Sequence, residues 1–240
     1  MTPTLAAATL SDRLSRVGYA IVPDALDSAA VDALLSAVER LPEQAGRARG
    51  GVRHLLRDVP QVRSLAASPA MRGMAEAALG SGALAVRGIL FDKTPGANWK
   101  VVWHQDLTIA VRERREVPGF GPWTKKEGVV HVQPPAGVLS RMVAVRLHLD
   151  DCTERNGPVR VIPGSHRAGR LSADQVDEWR SAGDEVVCTV PRGGILAFHS
   201  LLLHASSPAL EPAHRRVIHV EYVAAEWARL PGGLEWYERH

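Results

Sequence analysis

Two short stretches carry residues suited to holding a metal ion. WHQD at 103–106 puts His104 and Asp106 two positions apart in a β-branched run, and FHSLLLHASSP at 198–208 supplies His199 and His204. In an extended strand, residues i and i+2 project to one face. His104 and Asp106 therefore point together, with Cα atoms roughly 6.6 Å apart, while Trp103 and Gln105 point away. A His-x-Asp pair alone is commonplace. Joined by a distant histidine it becomes a two-histidine, one-carboxylate set, which suits Fe(II) and leaves positions open for a bidentate co-substrate and O2. His204 fits the third position because Ser206 and Arg215 follow it. His199, within or just after an apolar strand, is its rival.

Arg215 opens the run RRVIHVEYV. A dicarboxylate such as 2-oxoglutarate needs a fixed cation for its distal carboxylate, and a guanidinium forks bidentately onto that group. Arg216 competes for the role, since a shift of one residue along a strand turns a side chain to the opposite face.

The elements that must position these groups follow from periodicity. Residues 1–82 are expected to be mostly helical. In SAAVDALLSAVERL (28–41), Val31, Leu34, Leu35, Val38 and Leu41 share a stripe, with Asp27 or Ser28 as cap, and SPAMRGMAEAALG (68–80) is a second helix stopping at Gly80. GYAIVP (18–23) is a short strand between helices, and the polar, glycine-rich 43–54 is a loop. After Gly82 the period changes to 2. Strands are expected over 83–93, 99–106, 129–133, 141–151, 157–163, 185–190, 193–199 and 216–223, separated by turn signals such as TPGAN, ERNGP and PRGG. Many short strands with punctuating turns indicate a barrel or double-sheet jelly roll. The segment from Leu107 to about Gly128 is too long and too rich in Gly, Pro and charge for a tight hairpin loop, and a loop of that length suits a lid.

Composition narrows the class. The 240 residues fit one domain, and 45% apolar with 23% charged residues is ordinary for a globular chain. A net charge of +3 with interleaved signs gives no case for nucleic acid or an anionic membrane. Cys152 and Cys188 have no pairing pattern, which suits a reducing cytosol. No signal peptide or bilayer-spanning run is visible, so the expected location is cytoplasmic.

HQD at 104–106, NGPVRVIPGSH at 156–166, and HASSP with Arg215 together resemble the phytanoyl-CoA dioxygenase family of Fe(II)/2-oxoglutarate oxygenases. The resemblance runs from about Gly18 to about Tyr222. It implies a double-stranded β-helix (jelly-roll, cupin-like) core over 83–225, mainly β with flanking helices, as one domain spanning 1–240. It further implies His104, Asp106 and His204 as iron ligands, and Arg215 on the distal carboxylate of 2-oxoglutarate with help from Ser206. Trp123 is expected to flank the pocket. The family's lysine upstream of the first ligand has two possible counterparts, Lys93 and Arg53. Related halogenases replace the carboxylate ligand with a small residue; Asp106 is present, which favours hydroxylation.

The cofactors so implied are Fe(II), 2-oxoglutarate and O2, and the partner is a small-molecule substrate selected over 107–140, helped by 43–58. A cupin-like metalloenzyme without 2-oxoglutarate, and a non-catalytic iron or 2-oxoglutarate sensor, stay open as alternatives. The sequence is silent on oligomeric state. Other polar residues have plainer readings. Arg146 and His148 share a strand face that is solvated or lines the barrel mouth, and His131 is similarly ambiguous. Asn98 and Trp99 either touch co-substrate or, more plainly, serve turn and core, and Asp150 and Asp151 end a strand, either binding a cation or, by default, solvated.

Overall fold

The computed structural model describes residues 5–41 and 51–240; of the loop expected over 43–54, positions 43–50 lie outside the described residues. Helices α1 (Leu5–Val17), α2 (Ser28–Glu39), α3 (Leu55–Asp58), α4 (Pro60–Ala66) and α5 (Pro69–Leu79) alternate with two short strands, β1 (Tyr19–Val22) and β2 (Val52–Arg53). Asp27 starts α2 by accepting from the Ala30 amide (2.8 Å), and Val31, Leu34, Leu35 and Val38 form its buried stripe. Ser68 caps α5, which stops at Gly80 in a positive-φ conformation (88°).

The remaining strands are β3 (Leu84–Lys93), β4 (Val101–His104), β5 (Ile109–Val111), β6 (Trp123–Lys126), β7 (Val129–Val132), β8 (Met142–His148), β9 (Val159–Val161), β10 (Val186–Cys188), β11 (Ile195–His199), β12 (His204–Ser206) and β13 (Arg215–Val223). Helix α6 (Ala136–Leu139) precedes β8, and α7 (Ala173–Ala182) lies between β9 and β10. No apolar stripe marks α7 in the sequence, because none of its side chains is fully buried; a capping box of Ser172 and Gln175 sets its start.

The strands form three antiparallel sheets: a six-stranded one ordered β1-β11-β8-β13-β3-β2, a four-stranded one ordered β10-β9-β12-β4, and a three-stranded one ordered β5-β7-β6. The molecule is thus mainly β with several helices. β1 and β2 put the N-terminal region into the large sheet as its two edges, so that region does more than cover a face.

Alternation along β8 and β13 decides which side chains meet the helices and which meet the small sheet. Val143, Val145 and Leu147 of β8, with Ile218, Val220 and Tyr222 of β13, pack beneath α2–α5. Burying each such aliphatic side chain stabilises the fold by about 1.5–3 kcal/mol. The opposite face of the large sheet sends Ala144, Leu196 and Phe198 against Val159 and Val161 of the four-stranded sheet. The inward row of β13 is consequently Arg215, Val217, His219 and Glu221.

The 107–128 segment departs from the expected loop. It holds β5 and β6, and β6 turns into β7 through a two-residue hairpin whose Glu127 and Gly128 both have positive φ (50° and 84°). Glu127 disguises this turn, since such positions usually carry Asn or Gly. Among the described residues, no helix is long and apolar enough to cross a membrane.

Candidate metal centre

Strand β4 ends at His104, so Gln105 and Asp106 leave the ladder rather than extend it to 106 as expected. The pair still converges, because Gln105 anchors the chain at that point. Its buried amide donates to the Leu201 and Gly169 carbonyls (2.7 and 2.8 Å) and accepts from the Leu171 amide (2.8 Å). The Asp106 amide then docks on the Ser200 carbonyl (2.8 Å), between the strand of Phe198 and that of His204. β12 pairs with β4 in a register that sets His204 directly against His104 and, on its other side, against Val161 of β9. The NGPVRVIPGSH motif therefore supplies the strand beside His204.

His104, Asp106 and His204 each offer a ligand atom within 4.8 Å of the other two. The His104 Nε2–Asp106 Oδ1 and His204 Nε2–Asp106 Oδ2 separations are 3.6 and 3.7 Å. These are too long for hydrogen bonds, yet they suit two ligands on either side of one ion at bond lengths of about 2.0–2.2 Å. Both imidazoles donate through Nδ1 to a carbonyl two residues upstream, Val102 and Leu202 respectively, at 2.8 Å. A carbonyl can only accept, so each Nε2 keeps its lone pair for the space between the three.

The charges fit a cation. Burial works to raise the Asp106 carboxyl, but the imidazoles of His204 and His104 outweigh it and hold the group well below the usual carboxylate range. Burial pushes His204 down to about 4, keeping it neutral, and for His104 the Asp106 carboxylate overcomes burial and raises it. A divalent ion would displace the His104 proton and meet the ionised carboxylate.

Beside this triad lies a cavity of about 100 Å3 whose other end is cationic. Lys93, Arg146 and Arg215 all line it and are all buried. Arg215 Nη1 donates to the Gly157 carbonyl, while its buried Nε has no partner. Lys93 Nζ donates to Ser206 Oγ (2.8 Å) and the Ser207 carbonyl, and Ser206 Oγ donates to the Gly157 carbonyl (2.9 Å). Arg146 lies over the Phe91 ring (5.4 Å). None of the three cations forms a salt bridge among the described residues. Burial, then the charges of Arg215 and Arg146, push Lys93 down to about 7. Buried unpaired cations are costly, and a small dianion placed here would relieve that cost. Gly157 gives it room: at φ 74° its missing Cβ would fall 2.6 Å from Ser207 O and 2.8 Å from Lys93 Nζ.

The other sequence candidates sort by geometry. Arg216 points to the opposite face and pairs with Asp150 (2.8 Å) and Glu39 (2.6 Å), which settles the choice between the two arginines as to which faces the cavity. Asp150 is therefore paired rather than free. Lys93 lies in the cavity, whereas Arg53 pairs with Glu127 (3.1 Å) outside its lining. Trp123 is a correction: it sits in β6, packs against the cluster around Ile109 and Val132, and does not line the cavity. Trp99 flanks it instead, 5.6 Å from Lys93 Nζ. His199 stacks on His166 (4.9 Å, 12°), away from the triad. Asn98 holds the Ala209 backbone at both ends (2.6 and 2.9 Å). Gln105, Arg87, His219 and Glu221 escape sequence reasoning altogether. Once β13 is aligned on Arg215, period-2 alternation brings out His219 and Glu221; nothing local flags Gln105.

Comparison with known proteins places this arrangement. The family described as Phytanoyl-CoA dioxygenase (PhyH) matches residues 14–217. L-proline trans-4-hydroxylase of Streptomyces griseoviridis is 29% identical over 182 residues, 64% of this chain, and the chain spans only 59% of that relative's length. Among solved structures, the carbocyclase SnoK from nogalamycin biosynthesis is 18% identical with a TM-score of 0.71, covering 99% of this chain and 97% of its own. EctD from S. alaskensis is 20% identical with a TM-score of 0.72, covering 94% of this chain and 79% of its own. At these identities the structures establish a common jelly-roll-like fold. With the family match covering most of its length, the chain belongs to the phytanoyl-CoA dioxygenase family.

Proposed function

We propose that the protein is an Fe(II)- and 2-oxoglutarate-dependent oxygenase that hydroxylates a small molecule. The observation that carries this reading is the convergence of His104, Asp106 and His204 next to a buried cluster of unpaired cations. His104, Asp106 and His204 would hold the iron, and Arg215 the distal carboxylate of 2-oxoglutarate, with Lys93 and Ser206 beside it. When bound, the iron supplies O2 activation coupled to decarboxylation of 2-oxoglutarate, yielding succinate, CO2 and a hydroxylated substrate. The chain's own contribution is geometric. Backbone carbonyls aim the two imidazoles, Gln105 fixes the turn that carries Asp106, and Ile89, Phe91, Val101 and Val159 give the cavity apolar walls.

The chain acts as one domain over 1–240, with a jelly-roll core over 83–225 and a helical cover over 1–82. The 107–140 segment, with its β5–β7–β6 sheet, is where substrate choice is made. The Arg53–Glu127 ion pair ties its hairpin to β2, the neighbour of β3, whose Arg87 and Ile89 line the cavity.

The test is succinate formation from 2-oxoglutarate with Fe(II) in air, screened over a metabolite pool. Arg215→Ala should raise the KM for 2-oxoglutarate by roughly two orders of magnitude, as expected on removing one partner of a buried charge pair. An unchanged KM would indicate a metalloenzyme of this fold that does not use 2-oxoglutarate.

A further inference from the structure

The cavity has a second charged end that 2-oxoglutarate does not account for. The inward row of β13 runs Arg215, Val217, His219, Glu221, and its register partners on β3 run Lys93, Phe91, Ile89, Arg87. Arg215 and Glu221 are thus about 20 Å apart along the strand. The Phe198 ring stands against both His204 of the triad (4.7 Å) and His219 (6.4 Å), which places the triad along the middle of this row. Lys93 and Arg215 stand at one end; Arg87 and Glu221 stand at the other, and all line the same cavity.

Arg87 is held in place yet not used up. Its Nη1 meets Glu221 Oε1 and the Thr108 carbonyl, both at 3.3 Å, and its Nε has no hydrogen-bond partner. Glu221 is nearly fully buried and also meets His219 Nε2 at 3.4 Å, so it acts as the brace that aims Arg87. The β3–β13 ladder shifts register between Glu221 and Tyr222, and bulges of this kind re-aim side chains beside active sites. Two further cations stand near. Arg53 on β2 is neutralised by Glu127. Lys126 on β6 is exposed and adjoins Glu127, the partner of Arg53. With Asp106 facing the metal position and Arg53 paired to Glu127, Arg87 and Lys126 stand against the single carboxylate of Glu221.

We propose that Arg87, with Lys126 on the neighbouring hairpin, holds a carboxylate of the substrate, so that the enzyme acts on small carboxylic acids. His219 and Glu221 are one inward step apart, roughly 6.6 Å, so the carbon presented to the iron lies only a few bonds from the anchored carboxylate. The proposal rests on the iron and 2-oxoglutarate reading and narrows its substrate class.

The test uses the Fe(II)- and 2-oxoglutarate-loaded protein without O2 and a panel of amino, imino and hydroxy acids, each paired with its own carboxamide. Binding is read from paramagnetic broadening of the ligand proton signals and from the shift of the visible chelate band. Several acids should bind at least about tenfold tighter than their amides. That preference should vanish in Arg87→Gln and shrink in Lys126→Gln, and salt should weaken it. Lys126 is exposed, so its variant keeps the test decisive if Arg87→Gln fails to fold. Equal binding of acids and amides, no binding of any acid at millimolar concentration, or a full preference in both variants overturns the proposal. Failure of the chelate band in the wild type is seen before any acid is added; it overturns the iron reading itself, and the proposal falls with it.

Discussion

His104 and His204 are direct register partners across the β4–β12 ladder, with ring centroids 4.2 Å apart and each Nδ1 tied to the carbonyl two residues upstream. The ladder fixes the separation of the two imidazoles before any metal arrives. Asp106 has no such ladder, and depends on Gln105.

Gln105→Leu should therefore loosen the site and the fold together. It leaves the Leu201 and Gly169 carbonyls and the Leu171 amide without their side-chain partner, at about 1–3 kcal/mol for each group left unsatisfied. Thermal unfolding should come earlier, and Fe(II) affinity should drop by about 10–100-fold. Unchanged Fe(II) binding would show that Asp106 is held by something else.

Gly157→Ala should separate the co-substrate end from the iron end. The added methyl sits at positive φ and strikes Ser207 O and the Lys93 ammonium. The KM for 2-oxoglutarate should rise by about tenfold or more, equivalent to about 1.4 kcal/mol, with Fe(II) affinity unchanged. Equal loss of both would mean the two ends are not independent.

Lys93 gives 2-oxoglutarate binding a pH dependence. Burial lowers its ammonium to about 7 in the free protein, and an incoming carboxylate must raise it. Binding thus takes up a proton above pH 7, and affinity should fall as pH rises from 7 toward 9, by up to about tenfold per unit. Lys93→Met should bind more weakly at pH 7 and show no such fall. The check is the 2-oxoglutarate Kd against pH in both proteins.

Acid should destabilise the fold through its buried histidines. Burial, aided by Arg87, pushes His131 down to about 4; burial, aided by His166, does the same to His199; burial, aided by Arg146 and Arg215, holds His148 well below its usual value. Each is neutral when folded and protonated when unfolded below pH 6.5. Stability is intact above 6.5 and declines as pH falls toward 4, by about 1.4 kcal/mol per unit per histidine. Denaturant midpoints across pH 4–7 measure this, and His131→Gln should flatten the slope.

What the sequence reveals of this site follows from what its local signals can carry. The His-x-Asp pair, His204 and Arg215 are visible because strand period and motif order constrain them. The face of Arg215 is not, because Arg216 obeys the same local rules; only the β13 register with Lys93 decides it. Arg146 and His148 stay open between solvent and the barrel mouth for the same reason: a strand's inward polar row looks like an outward one until the second sheet covers it. Trp123 is misplaced because the β6–β7 turn uses Glu127 at positive φ, hiding a hairpin inside an apparent loop. Helix α7 is hidden because only Val176 and Trp179 of its side chains are half-buried, too few to mark a stripe.

The most direct measurement is an anaerobic titration of Fe(II) into the protein with 2-oxoglutarate, followed through the weak visible charge-transfer band of the chelate. One equivalent should bring the band to saturation in the wild type, and His104→Ala and His204→Ala should each abolish it while His199→Ala retains it. A band that survives in His104→Ala or His204→Ala, or that never forms in the wild type, would contradict a single iron held between these two strands.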